Sequence, residues 1–563
     1  MRARYPDQEG FVERDGVRIF YEVFGTGEPT VLLLPTWSIV HSHIWKAQVP
    51  YLARHCRVIT FDGRGNGRSS RPTTPEAYSD REFAADALAV MDATNTQRAE
   101  LVSLSAGTYW ALLLAADHPE RVAGTVCIGT SLQLCPDHPH RQVYSFDDVL
   151  DTDKGWATLN RHYWLKDYHD FLTFFMSQIF TEPHSTKQIE DAVGWGLETT
   201  PEVLIATVDA PSAVNEQTDE EIARQVRCPV LVIHGDEDAI SPHARGARLA
   251  EITGGRLVTI EGGGHCPQAR DPVKVNLLLH DFIKPAPAPT LTWQRGRKRR
   301  KRALYVSSPI GLGHAQRDVA IADELRRLRP DLEIDWLAQH PVTEVLKARG
   351  ERIHPASAHL ANESRHIESE SAEHDLHCFQ AWRRMDEILI ANYMLFHDVV
   401  NEEQYDLWIG DEAWELDYYL HENPEEKRAA YVWLTDFVGW LPMPDGGGHE
   451  AFLTTDYNAE MIEQIERFPR QRDRAIFVGN PDDIVPDTFG ADLPNIRDWT
   501  ERHFDFAGYI TGFDPAAFAD REGIRAELGY RPDEKVCIVA VGGSGVGQHL
   551  LRRVMAAFPE AKR

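Results

Sequence analysis

The chain alternates short, almost uninterrupted apolar runs with longer stretches of helical periodicity, and it does so twice. The first series is TVLLLP (30–35), CRVITF (56–61), AELVSL (99–104), GTVCIG (124–129), PVLVIHG (229–235) and GRLVTIEG (255–262). The second is RALYVSS (302–308), LEIDWLA (332–338), DLWIGDE (406–412), AAYVWLTDF (429–437) and KVCIVAVGG (535–543), with AIFVGNP (475–481) ending in the same way. Runs apolar at every position suit strands covered on both faces, and their alternation with helices predicts parallel sheets of the α/β class.

Between the two series lies IKPAPAPTLTWQRGRKRRKR (283–302), in which Pro285, Pro287 and Pro289 alternate with small residues ahead of six consecutive cations, Arg297 to Arg302. Alternating prolines favour an extended spacer. The cations read either as a contact for anionic lipid or nucleic acid, or as a solvated linker that tolerates like charge. A chain of 563 residues exceeds what one hydrophobic core organises, so the boundary is placed here. The expected division is 1–284, a linker over 285–302, a second domain over 303–515 and the start of a third over 516–563.

A net charge of −28 argues against general nucleic-acid binding. No apolar run approaches a membrane span, and the N-terminus has no apolar segment behind its basic start. The seven cysteines form no C-x-x-C pair, and the segments HSH (41–43) and HPH (138–140) have no partners at ligand spacing. Neither a metal site nor a disulfide framework is therefore expected, and the location read is cytoplasmic.

The residues that carry chemistry begin at Ser103-Leu104-Ser105-Ala106-Gly107, where an apolar run turns into a helix. A serine hydroxyl becomes a nucleophile when an imidazole takes its proton and a carboxylate orients that imidazole. Asp236 and Asp238 follow the run at 229–235, and His265 lies in a glycine-rich loop after the next run. The order Ser, Asp, His, each past a strand, is the α/β-hydrolase order. Residues 1 to about 284 resemble the α/β-hydrolase fold family, with the stretch from Val31 through Pro72 similar to its strand, oxyanion loop, helix, strand and arginine-glycine turn. The resemblance implies Ser105 as nucleophile, His265 as base and Asp238 as acid, with Asp236 as the fallback. It also implies an oxyanion hole from the backbone N–H groups of Ala106 and Trp37.

Two departures from the family pattern stand out: Ser103 in place of the first elbow glycine, and Pro35-Thr36 where His-Gly is usual. Arg64, in FDGRGNGRSS (61–70), reads as turn architecture making local bonds. A helical cap is expected over about 131–220. In it Trp164, Tyr168, Phe171 and Phe175 fall on one helical face, to dock the cap or to wall an acyl pocket. Serine at the elbow points to acyl chemistry on a small-molecule ester, lactone or thioester without a cofactor.

The second half opens with a strand that turns through Gly311-Leu312-Gly313-His314 into a helix, a setting in which a ligand approaches backbone N–H groups. From Ala303 the chain resembles the N-terminal, Rossmann-like domain of GT-B glycosyltransferases of the UDP-glycosyltransferase type. That resemblance implies a cleft with His314 on the acceptor side and Asp411 ending a cleft-facing strand. Residues 516–563 resemble the opening βα unit of the family's second domain, and Gly542-Gly543-Ser544-Gly545 reads as a phosphate loop for a nucleotide-sugar donor. Since that domain is expected to be incomplete, completion by a second chain is one reading. The alternatives to a serine hydrolase are a glycosyltransferase acting on a natural product or lipid acceptor, and a binding protein whose sites are relics.

Overall fold

The computed structural model describes residues 1–139, 141, 143–211, 217–284, 299–371, 376–541 and 547–561. The chain forms two compact units: Arg4–Thr290, and Leu291–Arg563 together with Met1–Ala3.

The N-terminal unit is organised by strands β1 (Gln8–Arg14), β2 (Val17–Phe24), β3 (Thr30–Leu33), β4 (Arg57–Phe61), β5 (Ala99–Leu104), β6 (Val122–Ile128), β7 (Val230–Gly235) and β8 (Arg256–Ile260). They lie in the order β1-β2-β4-β3-β5-β6-β7-β8. The pairings from β4 to β8 are parallel, and those of β1 with β2 and β2 with β4 are antiparallel. Each apolar run of the first series supplies one of the parallel strands. The antiparallel edge escaped the sequence reading, although its signal is visible: Asp15-Gly16 both take positive φ, 52° and 79°, and close a two-residue hairpin.

Strands β3 and β7 are buried at every position, which explains their uniform apolarity. Phe83, on the helix Asp80–Ala93, stacks on Trp110, on Gly107–Asp117, at 3.9 Å. Arg64 is fully buried and makes a two-pronged bond to Asp86, both contacts at 2.7 Å, in addition to one to the Ala77 carbonyl. Its reach therefore extends beyond its own turn and ties the loop after β4 to a neighbouring helix.

The segment between β6 and β7 holds the helices Arg161–Lys166, Tyr168–Ile179, Thr186–Gly196 and Pro201–Val208. The aromatic series expected on one helix spans two, because Asp167 leaves the helical conformation and its side chain accepts the Asp170 N–H as an N-cap. The aromatics still meet: Trp164 and Phe171 lie 4.6 Å apart, Phe171 and Phe175 5.6 Å.

The C-terminal unit carries β9 (Arg302–Ser307), β10 (Glu333–Ala338), β11 (Arg352–Ile353), β12 (Leu407–Asp411), β13 (Ala430–Thr435), β14 (Arg474–Phe477) and β15 (Asp505–Phe506), ordered β11-β10-β9-β12-β13-β14-β15. Every pairing is parallel. This second parallel sheet of seven strands fits a Rossmann-like fold. The strand order reverses between β9 and β12, which puts a crevice beyond their C-terminal ends.

Two expectations need correction here. The run 535–541 forms no strand and is exposed over most of its length, because it has no strand to pair with among the described residues. The cations 299–302 are not simply solvated: Arg299 and Lys301 close on Asp406 at 2.8 and 2.9 Å, and Arg302 bonds Asp335 and Glu403 at 2.5 Å. These carboxylates, beside the start of β9, offset the like charges. The Gly542–Gly545 loop lies outside the described residues, as do the linker residues 285–298.

Candidate active site

Ser105 stands between β5 and the helix Gly107–Asp117 with φ +52°. A non-glycine residue in this region costs about 1–3 kcal/mol and persists only where its surroundings enforce it. Here the Ser105 N–H donates to the Ile128 carbonyl at the end of β6 at 2.9 Å, and its own carbonyl accepts the Thr108 N–H at 3.1 Å. Behind the turn the backbones are in close approach. A Cβ on Gly107 would lie 2.4 Å from the Pro35 carbonyl oxygen, so no larger residue fits there. Ser103, by contrast, is accommodated: it is buried, and its hydroxyl donates to the Val126 carbonyl at 2.9 Å.

His265 is buried in the loop after β8, and its N–H donates to the Ile179 carbonyl at the end of a cap helix. Its Nδ1 lies 2.8 Å from Asp238 Oδ2. Asp238 Oδ1 accepts the N–H groups of Ile240 and Ser241, each at 2.8 Å, so the carboxylate is held at both oxygens. Burial alone would raise this carboxyl; the His265 and His234 imidazoles beside it outweigh burial and hold it well below the usual carboxylate range. Asp236 faces elsewhere, accepting the Gly262 N–H at 2.7 Å on the exposed side of the loop. Of the two sequence candidates, the structure brings Asp238 to the histidine.

The end of β6 borders both Ser105 and His265. Ile128 holds the Ser105 N–H, and the next residue, Gly129, has φ +50° and abuts His265 so closely that a Cβ there would lie 2.5 Å from its carbonyl oxygen. The backbone N–H groups of Trp37 and Ala106 have no acceptor among the described residues. Trp37 also reaches the cap: its indole N–H donates to Thr207 Oγ1 at 2.7 Å, and its ring meets Phe175 edge-on at 5.6 Å and Trp164 at 6.1 Å. No sequence motif announced this contact between the loop after β3 and the cap. Cys266, beside His265, is buried and its thiol is pushed up by that burial.

In the C-terminal unit the helix begins at Leu312, so Gly313 and His314 occupy its first turn and Gly311 is the extended cap. A Cβ on Gly313 would meet nothing within 4 Å. His314 Nδ1 lies 3.4 Å from Asp411, at the end of β12, and its Nε2 3.8 Å from Glu412. Burial opposes a charge on His314, but the two carboxyls outweigh it and raise its pKa. Asp411 is claimed at both oxygens by Arg317, which also reaches Asp436 at 2.7 Å. Sequence reading missed Arg317 and Glu412. Glu412 is buried with φ +46° and accepts the Asp436 N–H at 3.0 Å.

The N-terminal unit thus combines a mixed sheet in the order described, a strained serine elbow and a buried histidine–aspartate pair. An alpha/beta hydrolase fold family model matches residues 29–272. Over about half of the chain, curated hydrolases are similar to it. RutD of Caulobacter segnis, named as a proposed carbamate hydrolase, is 28% identical over 274 residues, 48% of this chain and 97% of that protein. The 2-hydroxymuconate semialdehyde hydrolase of a Pseudomonas species is 29% identical, covering 49% of this chain and 94% of its own length. Among solved structures, Est816, titled as an N-acyl homoserine lactone degrading enzyme, is 27% identical with a TM-score of 0.41, over 49% of this chain and all of that one. Among the described residues no helix is long and apolar enough to cross a membrane.

Proposed function

We propose that the N-terminal unit is a serine hydrolase that opens a carboxylic ester, lactone or thioester. Ser105 Oγ attacks the carbonyl carbon while the His265 imidazole takes its proton. Asp238 holds the ring by Nδ1 and stabilises the imidazolium that forms. The N–H groups of Ala106 and Trp37 receive the oxyanion, and being fixed backbone they need no reorganisation. Collapse of the tetrahedral intermediate expels the alcohol or thiol, which leaves with the proton from His265. Water then releases the acyl group by the same steps in reverse roles. The aromatic side chains beside Trp37 favour an apolar acyl group.

The observation that carries this reading is the strained φ of Ser105 at a turn whose neighbouring strand end also seats the Asp238-bonded His265. A fluorophosphonate probe should label Ser105, located by peptide mass spectrometry, and Ser105→Ala should abolish the label. A folded protein that takes no label at Ser105 refutes the reading.

A second reading concerns the C-terminal unit, where His314 sits beside Asp411 at the crevice where the strand order reverses. That placement favours a GT-B-like transferase half whose acceptor enters at His314. Calorimetric titration with a uridine diphosphate sugar tests it, and absence of binding at millimolar ligand leaves this half without a donor.

A further inference from the structure

Asp238 does not serve His265 alone. His234, the penultimate residue of β7, is fully buried, and its Nε2 lies 3.1 Å from Asp238 Oδ2, the same oxygen that binds His265 Nδ1. Nε2 also lies 3.0 Å from the Ser241 carbonyl oxygen. The Nε2 hydrogen goes to the Ser241 carbonyl, and Asp238 Oδ2 stands at ion-pair distance beside it. The opposite nitrogen, Nδ1, has no partner among the described residues. Nε2 is therefore the ring nitrogen placed to donate. Its seat is shaped for it: a Cβ on Gly246 would lie 2.6 Å from Nδ1.

Asp238 is therefore crowded on both sides: Oδ1 takes two backbone N–H groups, and Oδ2 takes His265 while the His234 ring edge stands 3.1 Å from it. A carboxylate that gives part of its charge to a second imidazole stabilises a protonated His265 less than one bound to His265 alone. Other titratable groups stand around the pair. His138 Nε2 donates to the Asp238 backbone carbonyl at 2.7 Å, Glu182 accepts the Gly264 N–H, and the His243 ring meets His234 at 5.7 Å. Arg141, Asp236 and Cys266 lie within electrostatic reach of the cluster. Among the described residues none of these hydrogen-bonds the Asp238 carboxylate.

We propose that His234 is a positioning residue that shares Asp238 with His265 and thereby sets the pH at which Ser105 becomes reactive. The inference rests on the hydrolase reading above. With His234 in place, Ser105 becomes reactive in more acidic solution than a simple serine, histidine, aspartate arrangement would permit.

The test needs no substrate. The rate of fluorophosphonate labelling at Ser105 is followed across the neutral pH range in the full chain, its His234→Leu variant and its His234→Gln variant. Loss of the donor in His234→Leu should move the midpoint up by about one pH unit. His234→Gln, whose amide N–H falls near the place of Nε2, should restore the midpoint of the parent. A His234→Leu midpoint equal to the parent's, with only the amount of labelled protein reduced, overturns the proposal, since that is what a purely structural residue would produce.

Should His234→Leu not fold, nitrogen-15 spectra of the parent decide. His234 should appear as the neutral Nε2–H tautomer, with a resonance that shifts at the labelling midpoint. An Nδ1–H tautomer, or a resonance indifferent to that midpoint, overturns the inference. A parent that never labels at Ser105 refutes the hydrolase reading instead, while the same spectra still report whether His234 bonds Asp238.

Discussion

Asp238 and Asp411 invite comparison, because each is a buried aspartate just past or at the end of a parallel strand with a histidine beside it. They differ in what neutralises the carboxylate. Asp238 is met by groups that carry no permanent charge: two backbone amides, the His265 imidazole and, at 3.1 Å, the His234 ring. No guanidinium hydrogen-bonds its carboxylate among the described residues. Asp411 is gripped at both oxygens by the Arg317 guanidinium, and His314 stands further off at 3.4 Å. The same pair of residue types makes a directly hydrogen-bonded pair in one place and an edge of an ion-pair cluster in the other. What decides is the third partner, and neither sequence motif contains it.

The largest effect that would sharpen this contrast comes from Asp238→Asn. The amide keeps the shape but removes the charge that stabilises an imidazolium, so ester turnover should fall by about 10⁴-fold while the labelled serine stays the same. Loss of less than about tenfold would break the comparison from the first side.

From the second side, Arg317→Met leaves Asp411 buried without its cation. The C-terminal unit should lose about 3–5 kcal/mol of stability, read by hydrogen exchange across β12. Stability unchanged by that substitution would mean that His314, not Arg317, neutralises Asp411.

The pH responses should also be of opposite sign. The Asp238 carboxyl is held low, so its contribution to folding is present above the ordinary carboxylate range and is lost as pH falls. The Glu412 carboxyl is pushed up to about 8, first by burial and then by Asp436. The folded C-terminal unit therefore keeps this proton. Its stability is intact below the ordinary value of 4.5 and declines as pH rises from there through about 8. Glu412→Gln should flatten that decline in a series of thermal melts, and a melt series that still falls as steeply would show that other groups cause it.

The smallest effect is expected at the cap. Thr207→Val deprives the Trp37 indole N–H of its acceptor, at a cost of about 1 kcal/mol, and kcat/KM should drop only a few-fold. The loss should fall on KM for bulky aromatic esters more than on kcat, because the Trp37 backbone N–H is not itself removed.

Legibility in the sequence followed physical range. The parallel strands of the N-terminal unit were visible because burial on both faces leaves a continuous apolar imprint in the chain itself. The elbow was visible too, since the turn admits only small residues around Ser105, and Gly107 shows why. Spacing past β7 favours Asp238 over Asp236 but leaves both in reach, and the direction of each side chain, one toward His265 and the other toward Gly262, divides them. The run 535–541 shows the converse. Its apolar pattern is that of a buried strand, yet pairing requires a neighbour, and a local pattern contains no information about one.

Two series of α/β elements and the order Ser105, Asp238, His265 were legible in the chain, as consequences of local patterning and of the small set of residues that tight turns tolerate. Folding alone brings His234 beside Asp238, fastens Trp37 to Thr207 and sets Arg317 on both oxygens of Asp411. Those are contacts between residues distant in the chain or turned toward one another by burial. Burial and hydrogen-bond direction, which set their chemistry, exist only once the chain has folded.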